Sequence, residues 1–432
     1  MVIKRVFLFG FILWCSLIKI CPDIEIYSRK QAVQLAMEHS PVIAIRDYAE
    51  RATQAQTQAQ ISSFLPQIRS TVTSEYTNAA GFGFSPVSSG AFSGLEKAAN
   101  ENYGYQAELT QYLFGFGQLQ NSLRLKKRIN AKEYLASKIA FRELVRNVNL
   151  ALTQALLAQA NVQIAEKRQF QRKDEWENVS SRYQLGKATV IELRQAESHF
   201  KQAEQDLIRY QSLLDLSLLS LGKAFGQDTP VMLSANIKLK RSKKMNHLFE
   251  HVEKILDKTL EIQDIENSIM QSYYSEKIVK SGYWPNARFF TNTYGFGEDQ
   301  EQMTDPFWSV GIRFSWDVFS GGQKYFSKKS EHADRLKIFE TLQMQQLEDH
   351  EKYAALKKKW HAIDQMILLQ KQTVVLAQKN YEDSNAMYKI GTLSWLELKD
   401  VSLALAESEY QLNILIAEEW NIVTDLLAFM TR

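Results

Sequence analysis

Few residues of this chain are spaced to do covalent chemistry. His247 and His251 stand four apart, which places two imidazoles on one helix face, but no third ligand lies nearby, so solvated histidines are the simpler reading and no metal is expected. Gly81-Phe82-Gly83 and Gly295-Phe296-Gly297 lack the strand and helix context of a dinucleotide loop and read as loop tips. The two cysteines, Cys15 and Cys21, fall near the N-terminus behind bulky residues that disfavour lipidation, and past Cys21 no thiol is left for a nucleophile, disulfide or metal. No clustered Ser/His/Asp, Cys/His or catalytic carboxylate pair supports an enzyme, and no cofactor is expected. What remains is a recurring turn pattern: Tyr183-Gln184-Leu185-Gly186 followed by Glu192, and Tyr388-Lys389-Ile390-Gly391 followed by Glu397 and Asp400. Glu397 and Asp400 sit one turn apart on one helix face, which by itself reads as a solvated surface.

The elements that must position those turns are legible in the punctuation. Proline occurs at positions 22, 41, 66, 86, 230, 285 and 306, so three long stretches are free of the strongest helix breaker. At a constant offset of 205, Phe114, Gly117 and Gln118 match Phe319, Gly322 and Gln323. The same offset carries Tyr183, Gly186, Glu192 and Leu193 onto Tyr388, Gly391, Glu397 and Leu398, and Glu204 and Leu207 onto Glu409 and Leu412. The unchanged 69-residue spacing between the two glycine clusters of each half is what a rigid helix of roughly 100 Å would impose. From Gln118 to Arg182 and from Gln323 to Met387 the chain has neither Gly nor Pro and is rich in Ala, Leu, Gln, Glu and Lys, the composition of long coiled-coil helices. Val190 to Leu219 and Trp395 to Phe429 then fold back, giving a long antiparallel helical hairpin in each half.

Strands precede each hairpin. Trp308, Val310, Ile312, Phe314, Trp316 and Val318 alternate with polar residues, as do Ile68, Val72 and Tyr76, and Tyr103, Tyr105, Ala107 and Leu109; Ala287 to Phe296 is a weaker fourth strand. Each is about the 9 to 11 residues that cross a bilayer at a tilt, and aromatics gather at the ends, Tyr112, Phe114, Phe116, Trp316 and Phe319 among them. The loops at 78 to 102 and 297 to 306 are polar. Lys4 and Arg5 before an apolar run from Val6 to Ile18 read as an export signal over residues 1–21, with an uncleaved anchor as the alternative. The rest divides into a first structural repeat, residues 22–230, and a second, residues 231–432. Lys+Arg 52 against Asp+Glu 49 leaves a net charge of +3, and nothing in it points to nucleic acid.

Four strands cannot close a transmembrane barrel, and an open edge facing lipid leaves backbone groups unpaired at several kcal/mol each. Three copies would supply twelve strands, enough for a water-filled lumen, whereas two would give eight and a plugged one.

With a signal, two repeats, strand pairs at Pro66 and Pro285 and the doubled Tyr-x-x-Gly-x5-Glu turn, the sequence resembles the TolC-like outer-membrane efflux protein family over nearly its whole length after the signal. The resemblance implies a mainly α fold with a transmembrane β part: a homotrimer with a 12-stranded β-barrel and an α-helical tunnel, seated in outer-membrane lipid and extending into the periplasm. It implies a passive exit duct for efflux or type I secretion, coupled to an inner-membrane transporter through a periplasmic adaptor, or membrane fusion, protein. The turns Leu185-Gly186-Lys187 and Ile390-Gly391-Thr392 would dock that adaptor. Glu192 and Tyr388 would tie the closed end, where Leu393 replaces a basic residue often found in the family's lock, and Glu397 and Asp400 would form two stacked acidic rings that favour cations. The competing reading is a coiled-coil interaction protein of the envelope without channel activity.

Overall fold

The computed structural model describes residues 25–26, 28–76, 101–227, 231–234, 238–242, 245–297 and 306–430. The expected export signal with Cys15 and Cys21, the Gly81-Phe82-Gly83 tip, and most of the loops at 78 to 102 and 297 to 306 lie outside the described residues. In chain order the elements are β1 (Glu25–Ile26), α1 (Arg29–His39), α2 (Pro41–Ser62), β2 (Gln67–Tyr76), β3 (Glu101–Phe114), α3 (Gln118–Gln184), α4 (Val190–Ala224) and β4 (Met232–Leu233). There follow α5 (Met245–Ile255), a 3-10 turn (Leu256–Lys258), α6 (Leu260–Ser281), β5 (Asn286–Gly297), β6 (Phe307–Ser315), α7 (Gln323–Ile390) and α8 (Trp395–Met430). The two unbroken helices expected from the Gly- and Pro-free stretches are α3, of 67 residues, and α7, of 68. No described helix is long and apolar enough to cross a membrane.

The chain forms two compact units, and each takes segments from both sequence repeats. One comprises residues up to Arg46, Ser137–Leu260 and Gln346 onward; the other comprises Asp47–Ala136 and Glu261–Gln345.

In the first unit the long helices gain stability by burying apolar stripes against neighbours, as helices of this length must. Ala32 and Ala36 of α1 pack with Val148 and Leu152 of α3, with Leu221 of α4 and with Phe225, which caps the end of α4, all nearly or fully buried. A second core joins Phe249 and Val252 of α5 to Ile363 and Ile367 of α7 and Ile422 and Leu426 of α8. Glu419, 1% exposed, is a buried charge and is matched accordingly: Arg241 Nε and the Ser242 amide donate to it at 3.2 Å each, and Arg241 also pairs with Asp364. His247 and His251 point outward from α5, away from that core.

The second unit holds a four-stranded antiparallel sheet in the order β2-β3-β5-β6, so the hairpins of the two repeats meet at β3 and β5. Pro66 and Pro285 stand one residue before β2 and β5, where a missing amide removes no ladder bond. Register puts Ile68, Leu109, Thr291 and Val310 on one row of one face, with Phe289 and Ile312, and Trp308, on the same face. The other face carries Arg69, Glu108, Asn292 and Ser309 in one row. The apolar face is bare: Ile68 is 76% exposed, Val72 77% and Trp308 75%. Strand β6 stops at Ser315 rather than running to Val318, because its partner β5 begins at Asn286, opposite Ser315, just after Pro285; beyond the end Trp316 Nε1 donates to the Tyr283 carbonyl at 3.1 Å. Its apolar alternation continues only as exposed side chains beyond the strand.

Candidate functional site

The residues singled out from sequence gather at the two turns that end α3 and α7. Gly186 and Gly391 take φ of +69° and +86°, a left-handed conformation that glycine alone adopts without strain. Each turn closes in the same way. The Gly186 amide donates to Tyr183 O at 2.9 Å and the Lys187 amide to Arg182 O at 2.8 Å; the Gly391 amide donates to Tyr388 O and the Thr392 amide to Met387 O, both at 3.0 Å. These bonds satisfy carbonyls that the helix ends would otherwise leave bare. Nothing lies within 4 Å of where a Cβ would stand on either glycine, so both tips are open. The residues before them are apolar and out in solvent, Leu185 71% exposed and Ile390 78%.

The helices that leave the turns start with matching caps. Thr189 Oγ1 accepts from the Glu192 amide at 3.2 Å, and Glu192 returns the bond by accepting from the Thr189 amide at 2.8 Å. Ser394 and Glu397 repeat the arrangement: Ser394 Oγ accepts from the Glu397 amide at 3.3 Å, and the Glu397 carboxylate accepts from the Ser394 amide at 2.9 Å and its hydroxyl at 2.7 Å. The Ser/Thr-x-x-Glu signature of this reciprocal cap is present in the sequence at both places, and it was the signal available for a role the turn pattern alone did not disclose. The hydroxyl of Ser394, then its amide, hold the Glu397 carboxyl below its ordinary value of 4.5. A carboxyl depressed in the folded state stabilises it above the unfolded value and loses that contribution as pH falls through the folded one, so this cap stays ionised at neutral pH. Asp400 is free of such duty; it is exposed, with Lys399 at 3.9 Å.

Between the two hairpins lies a small core of Val179, Ala196 and Trp395, against which Trp176, Leu193 and Tyr388 pack. Arg172 is 3% exposed and binds Glu175 at 2.6 Å and the Lys399 carbonyl at 3.3 Å, linking α3 to α8. Tyr388 reaches this core from α7. Its hydroxyl is shielded from solvent without a well-formed hydrogen bond, and the Arg182 guanidinium faces the ring at 5.8 Å. Burial raises the hydroxyl's pKa first, Arg182 pulls it back, and Glu192 is near enough for its charge to add to the rise. Within the chain, then, Glu192 is near enough to act on Tyr388 through its charge, but the Glu192 carboxylate is engaged by Thr189 rather than by the tyrosine. Among the described residues no group of histidine, cysteine and carboxylate side chains is placed to hold a metal.

Comparison with known proteins places this geometry. The family model of outer membrane efflux proteins matches residues 32–227. No curated protein matches the chain. Among solved structures, the outer membrane protein VceC of Vibrio cholerae aligns with a TM-score of 0.74 at 13% identity, covering 92% of this chain and 95% of its own. The CmeC outer membrane channel of Campylobacter jejuni aligns with a TM-score of 0.75 at 13% identity, over 93% of this chain and 85% of its own. CusC, in structures concerned with folding and transmembrane channel formation, aligns with a TM-score of 0.75 at 15% identity, over 93% and 91%. At such identities the likeness shows a shared fold.

Proposed function

We propose that the chain is a TolC-like outer membrane efflux protein, three copies of which assemble into an outer-membrane exit duct for an efflux or type I secretion system; the match of the outer membrane efflux protein family model to residues 32–227 supports this reading. The observation that carries this reading is the sheet. It has one bare apolar face, one polar face and two unpaired edges, β2 and β6, in a chain where no described helix can cross a bilayer. An apolar face of that size is stable against lipid, and the edges find partners only when β2 of one copy meets β6 of the next. Three copies close twelve strands around the polar face, which becomes the lumen wall. The two repeats, residues 22–230 and 231–432, each supply one hairpin of strands and one of helices.

The duct supplies no energy, so it works with an inner-membrane transporter through a periplasmic adaptor. The turns Leu185-Gly186-Lys187 and Ile390-Gly391-Thr392 suit that contact: their tips are open and their apolar residues uncovered. Glu192, Tyr388, Glu397 and Asp400 are the groups proposed for the gate. Tyr388 is the member with a hydroxyl still to be satisfied, and a neighbouring copy is the natural source of its acceptor. Because Glu397 caps α8, Asp400 is the cleaner carrier of a charge ring. Asp400→Asn in planar bilayers is expected to lower cation selectivity and relieve block by multivalent cations, while leaving the turn and its cap intact. Unchanged selectivity and block in that variant would remove Asp400 from the constriction.

A further inference from the structure

The polar face of the sheet carries two charged rows of different character. In the first, Arg69 stands opposite Glu108, with Asn292 and Ser309 beyond, so charges of opposite sign lie together. In the second, Tyr112, Arg288 and Arg313 are register partners across β3, β5 and β6, with no carboxylate in the row. Like charges directly opposite on antiparallel strands destabilise a sheet, so the second row needs a compensating anion. None is present among the described residues: both arginines are exposed and neither has a carboxylate partner. Asp317, the next acid along the chain, lies past the end of β6, where its carbonyl accepts from Lys324.

The row is also built, rather than merely charged. The Arg313 guanidinium rests over the Phe290 ring, 4.6 Å from its centroid. Phe290 can lie there because its partner on β6 is Gly311: a Cβ at that position would come within 3.2 Å of Phe290 Cε1 and Cζ. A glycine in a strand interior weakens it, and here it makes room for the ring that supports the arginine. The ring holds one flank of the guanidinium and leaves its edge of N–H donors for a ligand with planar or tetrahedral oxygens.

We infer that Arg288 and Arg313 form an oxyanion site on the lumen wall, recognising carboxylate or phosphate groups on passing solutes. The inference rests on the channel reading, in which three copies set six guanidinium groups around one level of the lumen. Arg288 is two residues into β5 and Arg313 two from the end of β6, so the level lies where the strands join α6 and the segment leading to α7. There the duct would favour anions, in contrast to the acidic rings proposed for its gate.

The test uses the full-length assembled protein in planar bilayers with chloride as the current carrier, adding inorganic phosphate in one arm and citrate in the other. Both are expected to block the wild-type channel, and R288Q/R313Q is expected to raise the half-blocking concentration about tenfold in whichever arm binds. Arg313→Lys, which keeps the charge and loses the fork, should fall between. Should the double variant not assemble, Arg288→Gln and Arg313→Gln singly carry the same comparison, each weakening block about threefold. A conducting wild-type channel that neither anion blocks, or variants blocked at the wild-type concentration, overturns the site and leaves the duct standing. A chain that forms no conducting pore overturns the duct itself, and the site with it.

Discussion

Val310→Arg is expected to abolish the folded assembly. Val310 stands in the middle of edge strand β6, opposite Thr291, on the apolar face with Ile68 and Leu109, and is 56% exposed. If that face meets lipid, an arginine near the bilayer midplane costs about 2 to 4 kcal/mol in each copy. Three copies lose about 6 to 12 kcal/mol together, as much as a whole protein's net stability. The measurement is the yield of the oligomer in outer-membrane extracts run without heating. Ser309→Arg, one residue away on the polar face in the row of Arg69 and Glu108, is the control and should assemble near wild-type levels. Equal yields from the two variants would mean that the apolar face does not contact lipid.

Gly391→Trp is expected to stop export while leaving assembly intact. At φ +86° any other residue carries strain of about 1 to 2 kcal/mol, spread over a turn that keeps its backbone bonds to Tyr388 and Met387. Such a cost does not unfold α7 and α8. The tip has room for an indole, since nothing lies within 4 Å of the Cβ position, so the effect falls on whatever must approach the turn. Gly391→Asn separates the two terms, because asparagine tolerates the left-handed conformation and is small. It should retain most export in an assay of cargo release or antibiotic tolerance. Normal export by Gly391→Trp would take this turn out of the adaptor contact.

Much of this architecture could be read from residues alone, for reasons that are local. The absence of Gly and Pro between Gln118 and Arg182 and between Gln323 and Met387 foretold α3 and α7 to within a turn, since nothing else in those stretches breaks a helix. Alternation at Trp308, Val310, Ile312 and Phe314 marked β6 because one of its faces is apolar and the other polar. Past Ser315 the same alternation misled: Trp316 and Val318 keep the pattern without the ladder.

What stayed hidden depends on register and on bonds between distant segments. The pairing of β3 with β5, which joins the repeats, leaves no mark in either strand. Arg288 and Arg313 are 25 positions apart in the chain and become neighbours only through the β5–β6 register. In helix α5, His247 and His251 occupy the exposed face, while the buried Phe249 and Val252 carry the packing. For the proposed gate, the sequence places Glu192, Tyr388, Glu397 and Asp400 at or just after matching turns. The division of labour between them came from the caps: Glu192 and Glu397 hold helix starts, and Asp400 does not.

The central claim is that the sheet is one third of a barrel, and the mass of the particle extracted from outer membranes tests it most directly. Native mass spectrometry in mild detergent should give a single species of three chains, dissociating to two and one as detergent is stripped, with the three-chain species alone conducting in bilayers. A one-chain species that inserts and conducts would contradict it, because four strands with open β2 and β6 edges have no means of sealing themselves against lipid.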